Sequence, residues 1–159
     1  LGLMVKLHTG DGPYSIPTEF YPIIREFPSV NFILAHFGVQ TGGVYVFEPF
    51  QMALDAPNVY AESGWCLQSR IVEFAKELPK HKILFGSDTP PNEPGMWINL
   101  LEVLCHEPPQ GLNLDEDTLE DYLGNNVARM IGLEPTAPPR SVEEAEAYLR
   151  NHGIALETA

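Results

Sequence analysis

Apolar residues recur along this chain in two alternating rhythms. Residues 3–8 (LMVKLH) set Leu3, Val5 and Leu7 on one side of an extended segment and Met4, Lys6 and His8 on the other, the two-residue period of a strand. Helical spacing follows over 16–27, opened by Pro17 and Thr18, disturbed by Pro22 and closed before Pro28. Residues 30–36 (VNFILAH) are an almost continuous apolar run, as in parallel strands buried on both faces. A helix is predicted over 44–54, and a third strand over 59–63 that runs on into Gly64 and Trp65. Residues 68–78 return to helical spacing, with Ile71, Phe74, Ala75 and Leu78 on one face and Pro79 as the stop. A fourth strand is predicted over 83–88. Strand starts recur roughly every 25 residues with a helix between, which predicts βαβ units and a parallel sheet rather than hairpins.

After the Pro-rich loop at 90–95, the pattern predicts a helix over 96–105 and two helical pieces over 114–133. Residues 134–140 have linker composition. A last helix over 141–151 has Ser141 as its cap and Glu144 as the second member of a capping box. The expected organisation is a folded unit over 1–133, a linker over 134–140 and a helical tail over 141–159.

Composition narrows the classes of partner. A chain of 159 residues, 44% hydrophobic, is long enough for one core and too short for two ordinary domains. Its formal net charge of −13 argues against nucleic acid or an anionic membrane as partner. Cys66 and Cys105 lack metal-type spacing, so reduced thiols and a cytoplasmic setting are expected. No apolar run approaches the length of a membrane span, and the residues from Leu1 onward show no basic-then-apolar pattern. Leu1 already stands at the start of a strand, so the sequence reads as part of something longer.

The candidate chemistry sits at the strand ends. The run KILFGSDTPP delivers Asp88 just past an apolar strand, where parallel α/β enzymes place their active sites. Taken alone, Asp88 reads equally well as a residue that bonds its own turn. His8 and His36, however, end the first and second strands in the same way. In a parallel sheet such ends share one edge, and two imidazoles with a carboxylate suit a divalent transition metal.

These residues resemble a known family. His8 after an apolar strand, the segment Ile33-Leu34-Ala35-His36-Phe37-Gly38, Val59-Tyr60 running into Ser63, Ile83 to Pro90, and the closing run Gly124 to Leu133 look like the amidohydrolase-related metal-dependent hydrolases. The resemblance implies the C-terminal portion, about four βα units, of a TIM (β/α)₈ barrel. It implies His8 and Asp88 as metal ligands, and His36 and Asp88 as the catalytic pair. The cofactor it implies is a divalent ion, zinc first, with manganese or iron as alternatives. Glu62, Ser63 and Trp65 are expected to touch a small substrate that carries a carboxylate, lactone or amide. Non-oxidative decarboxylation is the alternative reaction. The strand-one His-x-His pair of the family is absent, and His81, His106 and His152 do not replace it.

Two further expectations follow. The half barrel needs its other half or a second copy, because an apolar inner face including Phe32, Leu34 and Leu84 would otherwise meet water. Trp65, Met96 and Trp97 are candidates for an apolar wall at the site. Two other readings stay open. One is an inactive half barrel kept for assembly. The other is a free-standing doubly wound sheet, for which Thr41-Gly42-Gly43 is a weak phosphate loop.

Overall fold

The computed structural model describes residues 3–10, 12–38, 47–135 and 141–151. Four strands, β1 (Met4–Leu7), β2 (Asn31–Leu34), β3 (Val59–Glu62) and β4 (Ile83–Leu84), form one parallel sheet in the order β1-β2-β3-β4. Helices α1 (Pro17–Glu26), α2 (Phe47–Asp55) and α3 (Gln68–Glu77) connect them, and α4 (Pro94–Glu102) follows β4. A doubly wound sheet would reverse its strand order at a switch point. Here the order never reverses, so the sheet is wound like the wall of a (β/α)₈ barrel. The loop Thr41-Gly42-Gly43 and the first residues of the helix expected over 44–54 lie outside the described residues.

Local chemistry sets the helix ends. Pro17 opens α1, where a missing N–H costs nothing. Glu93 caps α4 by accepting the Met96 N–H, and Asp115 caps α5 (Glu116–Glu120) by accepting that of Thr118. The stretch predicted as two helical pieces is α5, one π-helical turn over Asp121–Asn125 and α6 (Asn126–Met130). Ser141 accepts the Glu144 N–H at the start of α7 (Val142–Asn151), the cap read from sequence.

Strand register shows which face is which. Phe32, Leu34, Val59, Ala61 and Ile83 pack into the main core against Ile24, Met52, Ile71, Phe74, Trp97 and Leu101 of the helices. Phe37 stacks on Phe74 with centroids 4.4 Å apart, and Phe50 meets the same ring edge-on. Alternation then leaves Lys6, Ile33, Tyr60, Glu62 and Leu84 on the opposite, concave face. This corrects the expected inner face, since Phe32 and Leu34 point to the helices. Leu84 does lie on the concave face, and it is already buried. The expected apolar wall is also revised: Trp97 is buried in the helix-side core, while Met96 is exposed.

The N-terminal ends of the strands are tied by side chains. The Lys82 ammonium donates to the carbonyls of Ala56, Pro57 and Val59 at 2.7–2.9 Å. Burial pulls its pKa down to about 8, while three carbonyls favour the charged form. Asn58 bonds the carbonyls of Ile24, Phe27 and Val30, and Asn126 bonds those of Lys80 and Ile83. The closing run Gly124 to Leu133 therefore fastens the root of β4 through Asn126. A hollow of about 350 Å³ at this end is lined by Tyr21, Arg25, Asp55 and Asn58, among others.

Asp121 belongs to the same fastening and carries a pH dependence. Burial pushes its pKa up, but hydrogen bonds from Arg129 and Lys80 outweigh that and hold the carboxyl below its ordinary 3.8. A depressed pKa contributes stability that is present above the unfolded value and is lost as pH falls through the folded one. Both cations are half exposed, so solvent weakens the pair. Asp121→Asn should cost roughly 1–2 kcal/mol at neutral pH. In urea titrations the gap to wild type should close below about pH 4; a constant gap down to pH 3 would assign the loss to packing.

Candidate active site

The C-terminal edge of the sheet is built on backbone that most side chains avoid. His36 (φ 60), Phe37 (φ 49), Trp65 (φ 51) and Asp88 (φ 63) all adopt the left-handed conformation, one set beyond each of β2, β3 and β4. Each such residue costs about 1–3 kcal/mol, and strain of this kind clusters at functional sites. The left-handed turns swing the chain out of the sheet and aim side chains across the edge. A cavity of about 260 Å³ there is lined by Lys6, His8, Ala35, His36 and Asp88. The three strand-end residues singled out from sequence thus border one space, together with Lys6.

The imidazoles touch. His36 Nε2 lies 3.3 Å from His8 Nδ1, with the ring centroids 5.0 Å apart and the planes near perpendicular. His36 Nδ1 is 2.6 Å from the Gly64 carbonyl oxygen. A carbonyl only accepts, so Nδ1 carries the hydrogen, and in the neutral ring Nε2 bears the lone pair. His8 Nδ1–H then donates to His36 Nε2, which leaves His8 Nε2 as an acceptor with no hydrogen-bond partner among the described residues. Asp88 is half-buried, and among the described residues nothing hydrogen-bonds or pairs with its carboxylate.

Glu62 and Ser63 hold the edge from beneath. Glu62 is 4% exposed. Its Oε2 accepts the His36 N–H at 3.3 Å, its Oε1 accepts the Gly64 N–H at 3.0 Å, and Lys6 Nζ stands 3.5 Å from Oε2. The Ser63 hydroxyl donates to the Gly86 carbonyl and accepts the Gly86 N–H, which joins the ends of β3 and β4. Trp65 is partly exposed at the same edge. Sequence reasoning did not single out Lys6, Gly64 or Gly86 as parts of the site. For Lys6 the signal was present, because strand alternation already put it on the His8 face.

The donor chemistry suits a divalent ion, since His8 Nε2 and the Asp88 carboxylate are both open. Two donors are fewer than the three or four protein ligands of an ordinary zinc site. Among the described residues no group of three His, Cys, Asp or Glu side chains stands close enough to hold an ion. The described residues therefore offer two open donors at this edge and no complete set. The Cys66 thiol is buried, and burial pushes its pKa up to about 12. No helix among the described residues is long and apolar enough to cross a membrane.

Comparison with known proteins agrees with this geometry. No curated protein matches the chain. An uncharacterised TIM-barrel protein from Bordetella bronchiseptica superposes with a TM-score of 0.64 at 21% identity, over 82% of this chain and 46% of that one. An amidohydrolase 2 from Bifidobacterium longum subsp. infantis gives 0.57 at 16% identity, over 81% and 49%. The 2,6-dihydroxybenzoate decarboxylase from Rhizobium gives 0.54 at 13% identity, over 80% and 50%. At these identities the likeness is one of fold. The chain spans about half the length of each, so its sheet is a portion of their barrel. The amidohydrolase family model matches residues 1–133, the stretch that holds all four strands and every strand-end residue of the cavity. On that match the chain is a member of the amidohydrolase family.

Proposed function

We propose that this chain is the C-terminal half of a metal-dependent amidohydrolase barrel that acts on a small molecule bearing a carboxylate, lactone or amide. The observation that carries the reading is the meeting of His8, His36 and Asp88 around one cavity at the C-terminal sheet edge. The reading gives His8 Nε2 and Asp88 to a divalent ion, zinc first, whose remaining ligands come from the other half of the barrel. When bound, such an ion polarises a substrate carbonyl or makes a bound water more acidic. Asp88 accepts a proton at its unpartnered carboxylate. His36, its ring fixed by Gly64, orients the reacting group at Nε2 once that nitrogen exchanges the His8 N–H for it. Lys6 lines the same cavity, and its cation suits an anionic substrate group. Trp65 stands exposed at the same edge, within reach of a substrate larger than the cavity, and Ser63 fixes that edge.

Hydrolysis and non-oxidative decarboxylation would use the same edge, and product analysis distinguishes them. One observation favours a second reading, an inactive half barrel kept for assembly: no three donors converge among the described residues. Elemental analysis of variants in the completed barrel separates the roles. His8→Asn should lose metal by tenfold or more, with turnover following it. His36→Asn should keep most of the metal and lose about 10²–10⁴ in turnover. Equal metal loss in both would make His36 a direct ligand, and full metal and rate in both would remove the site.

A further inference from the structure

Glu62 looks from sequence like a residue that meets substrate, yet its carboxylate is buried and directed into the backbone. Oε2 accepts the N–H of His36, a residue whose φ of 60 needs outside support. Oε1 accepts the N–H of Gly64, and the carbonyl of that same Gly64 receives the His36 ring proton at 2.6 Å. One side chain therefore anchors His36 twice, at its own amide and through the residue that orients its imidazole. Two glycines make room for it. A Cβ on Gly64 would stand 2.6 Å from Oε1, and one on Gly86 would fall on the carboxylate itself. Lys6, whose side chain is 58% exposed, supplies the balancing charge at 3.5 Å.

We propose that Glu62 is the positioning residue of the site: seated between Gly64 and Gly86 and neutralised by Lys6, it sets the orientation and tautomer of His36. The catalytic duty of His36 rests on the proposed function, but the tautomer does not. A hydrogen bond that selects which ring nitrogen keeps its proton also selects which one faces the reacting group.

The test reads the ring directly, by long-range proton–nitrogen correlation spectra of His36 in the full chain. Wild type should show Nδ1 protonated and Nε2 bare. Glu62→Gln is nearly isosteric but must turn an NH₂ toward one of the two backbone amides. It should leave a mixture of tautomers. Gly86→Ala displaces the carboxylate while keeping its charge, and should give the same mixture. Lys6→Met keeps both backbone bonds and should retain the wild-type pattern. Where turnover is measurable, Glu62→Gln should lower kcat about 10–100-fold with KM within twofold.

Tautomer change without any activity in wild type would sustain the positioning role and count against the proposed function instead. A wild-type ring pattern in folded Glu62→Gln would overturn the positioning role, whatever Gly86→Ala does. A lower melting temperature with that pattern intact would make Glu62 a structural residue only.

Discussion

Asp88→Asn should lower turnover of the completed barrel by about three orders of magnitude while leaving its fold unchanged. The substitution removes one charge and one proton acceptor and alters almost no volume. It also suits the backbone: Asp88 sits at φ 63, and Asn tolerates that region as well as Asp does. Among the described residues the carboxylate has no hydrogen-bond or ion-pair partner to lose, so the variant should melt within about 0.5 kcal/mol of wild type. The loss then falls on chemistry. General acid–base participation is worth about 10²–10⁴ in rate, and loss of a metal ligand adds to it. Turnover, metal content and melting temperature are measured on one preparation. Near-normal turnover with full metal would remove Asp88 from the mechanism.

Much of this site was readable because period and punctuation agreed. Two-residue alternation around Lys6 and His8, and proline stops at Pro28 and Pro79, were enough to count the strands. Residues at strand ends follow from that count, and the parallel order brings His8, His36 and Asp88 to one edge. The faces of β2 were not readable. A continuous apolar run such as residues 32–35 has no alternation to say which side meets the helices. The fourth strand is shorter than its apolar pattern predicts, because Phe85 N–H turns to the Tyr122 carbonyl rather than to β3. That partner is far along the chain, and no local signal announces it. Glu62 is a similar case: its bond to His36 spans 26 positions. Gly86, which makes room for the carboxylate, lies beyond the next strand, so no local signal announces the burial.

The second large effect concerns assembly. The two edges of the sheet are unlike. On the β4 side, Asn126 bonds the Ile83 carbonyl and Phe85 N–H reaches Tyr122, so helix and turn close that border in part. β1 has β2 on one side, and among the described residues no strand pairs with its other side. Leu3 is 67% exposed there and Val5 38%. An open edge with apolar residues is a template for pairing, and a barrel wall is completed only by further strands. Exposure of single residues is ordinary; it is the unpaired strand carrying them that drives association.

The purified chain should therefore not be a monomer at micromolar concentration. It should pair through β1, either with the other half of the barrel or with a second copy across a two-fold axis. Lys6→Glu, which places a like charge beside Glu62 on the concave face, should weaken that pairing less than a proline at Val5, which blocks the edge itself.

Mass by light scattering together with metal content by elemental analysis tests the half-barrel account most directly. The chain alone should run as a dimer or larger and hold well under one metal ion per chain, and addition of the complementary half should raise the metal toward one. A well-folded monomer with one tightly held ion per chain would contradict it.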